Sequence, residues 1–381
     1  MTLDRLFKPT YLSFMSILAP LHDVLARSGL DAVAIVPGAN FRRVFNTDFH
    51  QMERPLVVIV PREGEPVAVV PNLEMGSFTP IGFPGKTFDW RDEAGYMNAF
   101  MSAGAALPHL RQGARIGVEG QRMRVFDLLA LQKALPGAEF ADIHAEISAI
   151  RLHKTAAEIE LQRKAIRLSE SALEDTLSEI KVGMTETEIE GILLRNLFSH
   201  GADGLAFAPI VAAGDNAAKP HAHARPDYRI KPGDALLFDF GGSYQGYSAD
   251  ITRTFFVKEV SDYDRAFYET VLAANTKGRD VSRAGITASD VDDAVQKVLE
   301  QSQFTEFRRH KTGHGLGLDV HEAPQIMRGN MQVLEPGMVF TIEPGLYRSG
   351  EAGVRIEDDV VVTEDGIECL TSFPRELRLV G

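Results

Sequence analysis

An α+β chain in two domains is the architecture this sequence predicts, and three observations predict it. Short β-branched runs alternate with helix-length segments over roughly the first 150 residues, as in a mixed α/β layer. A long helical pattern with a legible start follows at Thr155. Beyond residue 206 strand-like runs return in number, interrupted by a helical region near 262–303. The expected domains are a smaller α/β unit, 1–152, and an α+β unit, 153–381.

In the first domain a helical stretch ends at Gly29, and Ala32–Val36 (AVAIV) reads as the first strand. Pro55–Val60 (PLVVIV) and Pro66–Val70 (PVAVV) are short β-branched runs. Turn chemistry in Pro61–Glu65 between them predicts a hairpin. Arg115–Val118 (RIGV) is a further strand, followed by a helix over 123–135. The join comes after Ile147–Leu152. Thr155 with Glu158 then forms a capping box, in which each side chain satisfies a free N–H of the first helical turn. Apolar residues at Ile159, Ile166, Leu173, Leu177 and Ile180 keep close to the helical period, and Gly183 is expected to stop the helix. A second box, Thr185 with Glu188, opens the next helix through Ile189, Ile192, Leu193 and Leu197. Ile210–Ala213, Ala235–Phe240, Ile251–Val257, Val339–Glu343 and Val354–Val362 read as strands. Within the helical region near 262–303, Ser289 or Asp290 is the expected cap. No short repeat is present, and a structural duplication within 155–381 is compatible with the sequence although self-similarity does not show it.

Composition narrows the function. The chain has 381 residues, a formal net charge of −13 and 44% hydrophobic residues, which excludes disorder or a collagen-like repeat as its main character. An acidic chain with no basic tract does not suit a run of phosphates or an anionic membrane surface, so neither nucleic acid nor membrane is an expected partner. Cys369 is the single cysteine, which excludes an intrachain disulfide and a cysteine-built zinc site. The apolar stretch Tyr11–Leu21 is broken by Ser13, Ser16 and Pro20, so no secretory leader is expected. No membrane-length apolar stretch occurs, and a cytoplasmic location is the expectation.

The informative feature is acid inside strands. Asp239 sits in ALLFDFGG, Asp250 immediately precedes ITRTFFV, Glu343 ends VFTIE and Glu357 lies in VRIEDDVVV. Carboxylates are poor strand formers and are rarely buried unless paired or bound to a cation. Each alone has a plain alternative: Asp239 as an edge or turn residue, Glu357 as the salt-bridge partner of Arg355. Together with histidines they form a pattern. His310–Pro324 reads HKTGHGLGLDVHEAP, with His310, His314 and His321 among glycines that let the backbone approach a ligand. His221 and His223 fall in a second cluster, NAAKPHAHARP. Carboxylates with an imidazole suit Mn²⁺, Co²⁺, Fe²⁺ or Zn²⁺, and two divalent ions neutralise four carboxylates. Two such ions together activate water and polarise a carbonyl, which is hydrolysis chemistry. No P-loop, dinucleotide glycine fingerprint or nucleophile elbow is present.

These segments, DFGGSYQGYSADITRTF, HKTGHGLGLDVHEAP, TIEPGLY and VRIEDDVVV, resemble the pita-bread metallopeptidases. That group includes prolidase, Xaa-Pro aminopeptidase, methionine aminopeptidase and the related creatinase. The resemblance implies a pita-bread catalytic domain over 153–381, preceded by a creatinase-type N-terminal domain. It implies two divalent metal ions, Mn²⁺ foremost, held by Asp239, Asp250, His314, Glu343 and Glu357, with Asp250 and Glu357 bridging. Glu343 would shuttle protons, His221 would contact the substrate near the scissile carbonyl and His321 would stabilise the tetrahedral intermediate. His223 is the alternative to His221. His310 would sit nearby on the substrate side, and Arg355 would orient a ligand carboxylate. Gln325 stands where some prolidases carry Arg, which leaves open how a substrate carboxylate is held.

The N-terminal domain implies the prolidase branch, a homodimer and a small peptide substrate with proline in second position. Methionine aminopeptidase lacks that domain, and creatinase has it but lacks the metal set. Xaa-Pro dipeptidase is the favoured expectation. Xaa-Pro aminopeptidase, a small-molecule hydrolase of ectoine derivatives, a dimethylsulfoniopropionate lyase and a catalytically silent binding module are the alternatives.

Overall fold

The computed structural model describes residues 17–381, so most of the Tyr11–Leu21 stretch weighed as a leader lies outside the described residues. The chain divides into two compact units between Arg151 and Leu152.

The first unit is built on one six-stranded sheet of β1 (Ala32–Ile35), β2 (Val57–Pro61), β3 (Val67–Pro71), β4 (Lys86–Trp90), β5 (Arg115–Val118) and β6 (Glu139–Asp142), in the order β4-β3-β2-β1-β5-β6. The β2–β3 hairpin is antiparallel, as its turn chemistry predicts, whereas β1–β5, β5–β6 and β3–β4 pair in parallel. Successive residues alternate between two cores. Ala32, Ala34, Val57 and Ile59 pack with the helices Met97–Ala106 and Val125–Ala134, while Val33, Ile35, Val58 and Val60 pack with Ala19–Ser28 and Ala39–Phe45. A sheet covered on both faces explains why the strands read as continuous apolar runs.

The second unit repeats one order of elements: a helix pair, then a sheet of mostly antiparallel strands, with Leu379–Val380 joining Ile251–Val257 in parallel. Helices Ala156–Glu179 and Glu186–Ser199 precede the sheet of Ile210–Ala213, Ala235–Phe240, Ile251–Val257 and Leu379–Val380. Helices Asp262–Val281 and Ala288–Glu300 precede the five-stranded sheet of Gly313–Gly315, Glu322–Ile326, Val339–Ile342, Asp358–Val362 and Ile367–Cys369. Both expected capping boxes form: Thr155 Oγ1 accepts from the Glu158 N–H and Thr185 Oγ1 from the Glu188 N–H. No helix among the described residues is long and apolar enough to cross a membrane.

Three expectations need correction. The first long helix ends at Glu179 rather than at Gly183, because Ile180 turns extended and buries its side chain; Gly183, at φ +90°, makes the following turn. The cap of Ala288–Glu300 is Thr287, in a box with Asp290, rather than Ser289 or Asp290. Val354–Val362 is two strands rather than one. Ala352–Arg355 pairs with Gly345–Arg348, and Asp358–Val362 joins the five-stranded sheet. At the break the Glu357 N–H donates to the Thr252 carbonyl at 3.0 Å, so long-range pairing overrides the local strand pattern.

One buried cation fastens this break. Arg253 is 1% exposed and donates to Asp358 Oδ1 at 2.8 Å, and to the carbonyls of Thr252, Glu357 and Phe373. Removing Arg253 takes a charged donor from three buried carbonyls and leaves Asp358 with Arg375 and Arg279 as its remaining partners. Arg253→Met is therefore expected to destabilise the protein by about 3–5 kcal/mol, measured as a shifted urea midpoint at constant m-value.

Candidate metal centre

Sheet registers bring five of the predicted residues to one place. Asp239 lies opposite Thr252 in the Ala235–Phe240/Ile251–Val257 pair, and Asp250 sits one residue before that pairing begins at Ile251. The two carboxylates thus share the end of one hairpin. In the other sheet Ile342 pairs with Asp358, so Glu343 and Glu357 follow at the same edge. The Glu343 N–H donates to the Thr312 carbonyl at 2.8 Å, which puts the short strand holding His314 beside them. Gly313 and Gly315 flank that histidine for a steric reason. A Cβ on either would fall 2.0 Å from a backbone oxygen, of Thr341 or of Ala323.

The donor atoms converge. One ligand atom each from Asp239, Asp250 and Glu357, and one each from His314, Glu343 and Glu357, lie within 4.8 Å of one another. His321 forms a third group with Asp250 and His314, and its ring stands edge-on to His314 at 4.1 Å between centroids. Burial, compounded by the neighbouring carboxylates, pushes Asp250 and Glu343 well above the ordinary carboxylate range and Glu357 to about 7. The Thr252 hydroxyl donates to Glu357 Oε2 at 2.7 Å and opposes part of that rise.

The histidine shows what would relieve this repulsion. His314 Nδ1 lies 3.1 Å from the Gly315 carbonyl, which only accepts, so Nδ1 holds the proton and Nε2 offers a lone pair. That lone pair faces Glu343 Oε1 at 3.3 Å and Asp250 Oδ2 at 3.7 Å. Burial, aided by His321, pushes the ring down to about 3, so it stays neutral. A lone pair set against carboxylate oxygens calls for an electrophile between them. A hard or borderline divalent cation fits this oxygen-rich donor set with its one imidazole.

The other predicted residues surround this cluster. Arg355 is buried and donates to Asp239 Oδ2, to Thr252 Oγ1 at 3.1 Å and to the Tyr347 hydroxyl at 2.5 Å. His310 Nδ1 donates to the Lys311 carbonyl at 2.8 Å, so its Nε2 accepts from the Tyr347 hydroxyl at 2.7 Å. Burial, with Arg355 nearby, holds His310 down at about 4. A cavity of about 850 Å³ opens onto the carboxylates and is lined by His221, His310, His321 and Arg355, with Phe207 and Val320 among its apolar members. His221, but not His223, lines it. The His223 carbonyl instead accepts from Asn216 Nδ2 at 2.9 Å. His221 and His321 are both exposed at its wall.

Sequence reasoning assigned no role to Tyr347, Thr252 or Lys311. Tyr347 stood in the TIEPGLY segment, and Thr252 alternates with Asp250 at the strand period, so both carried a signal. Lys311, which also lines the cavity, looked like an ordinary solvated loop lysine.

Residues 160–364 match metallopeptidase family M24, and residues 18–153 match the creatinase/prolidase N-terminal domain. A Xaa-Pro dipeptidase of Lactobacillus delbrueckii subsp. lactis is 34% identical over 265 residues, covering 69% of this chain and 72% of that protein. The structure is similar to that of a recombinant prolidase from Thermococcus sibiricus, with a TM-score of 0.90 at 31% identity, covering 98% of this chain and 100% of that one. It is also similar to a Xaa-Pro dipeptidase from Bacillus anthracis, with a TM-score of 0.86 at 30% identity, covering 96% of this chain and 99% of that one.

The raised carboxyls make a pH prediction. Glu357 moves from an ordinary 4.5 to about 7, so the folded state holds its proton more tightly than the unfolded chain. Its contribution favours folding below about pH 4.5 and is lost as the pH rises through about 7. A bound cation takes the proton's place and cancels that loss. The melting temperature of chelator-treated protein should therefore fall progressively below that of the Mn²⁺-loaded protein across this window. Parallel curves would contradict it.

Proposed function

The chain belongs to metallopeptidase family M24, and from that premise we propose that it is a dinuclear-metal hydrolase that cleaves the Xaa-Pro bond of dipeptides. The observation that carries this reading is the convergence of Asp239, Asp250, His314, Glu343 and Glu357 on the floor of a cavity. These five residues would hold two divalent ions, with Mn²⁺ favoured by the preponderance of carboxylate oxygens. Once bound, the ions would supply Lewis acidity for the scissile carbonyl and lower the pKa of water at the site.

The remaining chemistry falls to the chain's own groups. Glu343, less buried than Asp250 and Glu357, is placed to take a proton from water and pass it to the leaving nitrogen. His221 and His321 stand on the cavity wall, where ring N–H groups can donate to the carbonyl oxygen as it gains charge. Arg355 orients Asp239 and is itself held by Tyr347, which His310 fixes from the other side. An Xaa-Pro bond is a tertiary amide without an N–H, so recognition cannot depend on that donor. Apolar Phe207, Ile210, Pro220 and Val320 give a pyrrolidine ring a surface to pack against.

Turnover of Ala-Pro, Met-Pro and a Xaa-Pro-Xaa tripeptide with added Mn²⁺ tests the reading. Hydrolysis of both dipeptides and not the tripeptide is expected. Tripeptide turnover would shift the assignment to an aminopeptidase, and no turnover of any would refute a proline peptidase in favour of a small-molecule hydrolase or lyase. Asp250→Ala is expected to abolish activity and lower the metal content found by elemental analysis. His321→Ala should reduce kcat by roughly 10²–10³-fold with metal content retained; parallel loss of both would make its role structural.

A further inference from the structure

Resting on the dipeptide reading above, we propose that Lys311 binds the C-terminal carboxylate of the substrate and thereby restricts the enzyme to dipeptides. Lys311 lies on the cavity wall three residues before His314. Its ammonium donates to Gln325 Oε1, a neutral amide oxygen. Among the described residues no carboxylate lies within ion-pairing distance of it. An ammonium has three donors, so two stay available to a ligand.

The other cations at the cavity are committed or peripheral. Arg355 is taken up by Asp239, Tyr347 and Thr252. Arg309 is exposed, and its Nη1 donates to the carbonyls of Glu306 and Arg308. Lys311 is thus the cavity cation whose hydrogen bond goes to a neutral amide rather than to a carboxylate, and it is held in place. Gln325 lies opposite His314 in the strand register, and its Nε2 donates to the Glu322 carbonyl at 2.7 Å, which points Oε1 at the ammonium.

The position suits one substrate anion. Lys311 lines the same cavity as His310, His314, His321 and Glu343, so it stands at the reacting end of that cavity. In an Xaa-Pro dipeptide the carboxylate is borne on the proline Cα, two bonds from the scissile nitrogen. An anion that close to the bond cleaved needs a cation close to the metal floor. A tripeptide puts a neutral amide there and leaves the half-buried ammonium without a counter-charge, which penalises its binding.

The test compares Ala-Pro with its C-terminal amide, using the Mn²⁺-loaded wild type, Lys311→Gln and Lys311→Arg. For Lys311→Gln the KM for Ala-Pro should rise roughly 10- to 100-fold, the range for loss of a charge-assisted hydrogen bond. Its kcat should stay within a few-fold, turnover of the amide should not change, and Lys311→Arg should restore much of the difference. Equal losses on acid and amide, or no loss on either, would overturn the proposal. Calorimetric binding of an Ala-Pro analogue with the scissile carbonyl reduced to methylene, and of that analogue's amide, separates the two readings. If the wild type turns over no Xaa-Pro substrate, the dipeptidase reading falls. Lys311 then stands if the wild type prefers the acid analogue and Lys311→Gln does not, and it falls if the wild type shows no preference.

Discussion

Asp250 and Glu357 are almost entirely removed from solvent, and Asp239 and Glu343 lie against them. Like charges at such separations in a poorly solvated site repel strongly, and burying each one carries its own desolvation cost. The protein offers one buried guanidinium in return, Arg355, bonded to Asp239. Arg355 together with the half-buried Lys311 at the cavity wall still does not balance four negative charges. The site therefore demands either protons or cations, and the neutral His314 turns a lone pair rather than an N–H toward the same space. Much of the surrounding structure follows from that demand.

Two sheets have to meet at their ends for the carboxylates to converge, and the joint is fastened from below. Arg253 and Asp358 form a buried pair under the seam, and Arg375 supports Asp358 from the other side at 2.6 Å. A second buried pair, Lys154 and Glu322 at 2.5 Å, holds the segment next to His321. Buried ion pairs of this kind contribute little net stability compared with apolar packing, but they fix a geometry that apolar contacts would leave adjustable. Here they fix the edges from which Glu357 and His321 project.

Much of this was legible in the sequence where the signal is local. Capping boxes at Thr155 and Thr185 depend on residues three apart, and both helices begin where those boxes say. The same spacing at Thr287 and Asp290 was obscured by Ser289, an equally good capping residue two positions on. The clustered acids stood out because each contradicts its apolar strand. The break at Glu357 was not legible, because VRIEDDVVV is a sound strand pattern and the interruption comes from pairing with Thr252, over a hundred residues away in sequence. His221 and His223 stand two residues apart in one motif; the cavity is lined by His221, and the His223 carbonyl accepts from Asn216 seven residues earlier. Lys311 gave no sign, since a lysine between a histidine and a threonine looks the same whether it faces water or a cavity.

The central claim is that the acids at 239, 250, 343 and 357, with the imidazole at 314, enclose a pair of divalent cations. Crystals of the protein loaded with Mn²⁺, measured at the manganese absorption edge, address it directly. The account predicts two anomalous-scattering peaks per chain within this group of five side chains. A map with no peak there, or with the carboxylates bonded to one another through protons at neutral pH in the presence of the metal, would contradict it.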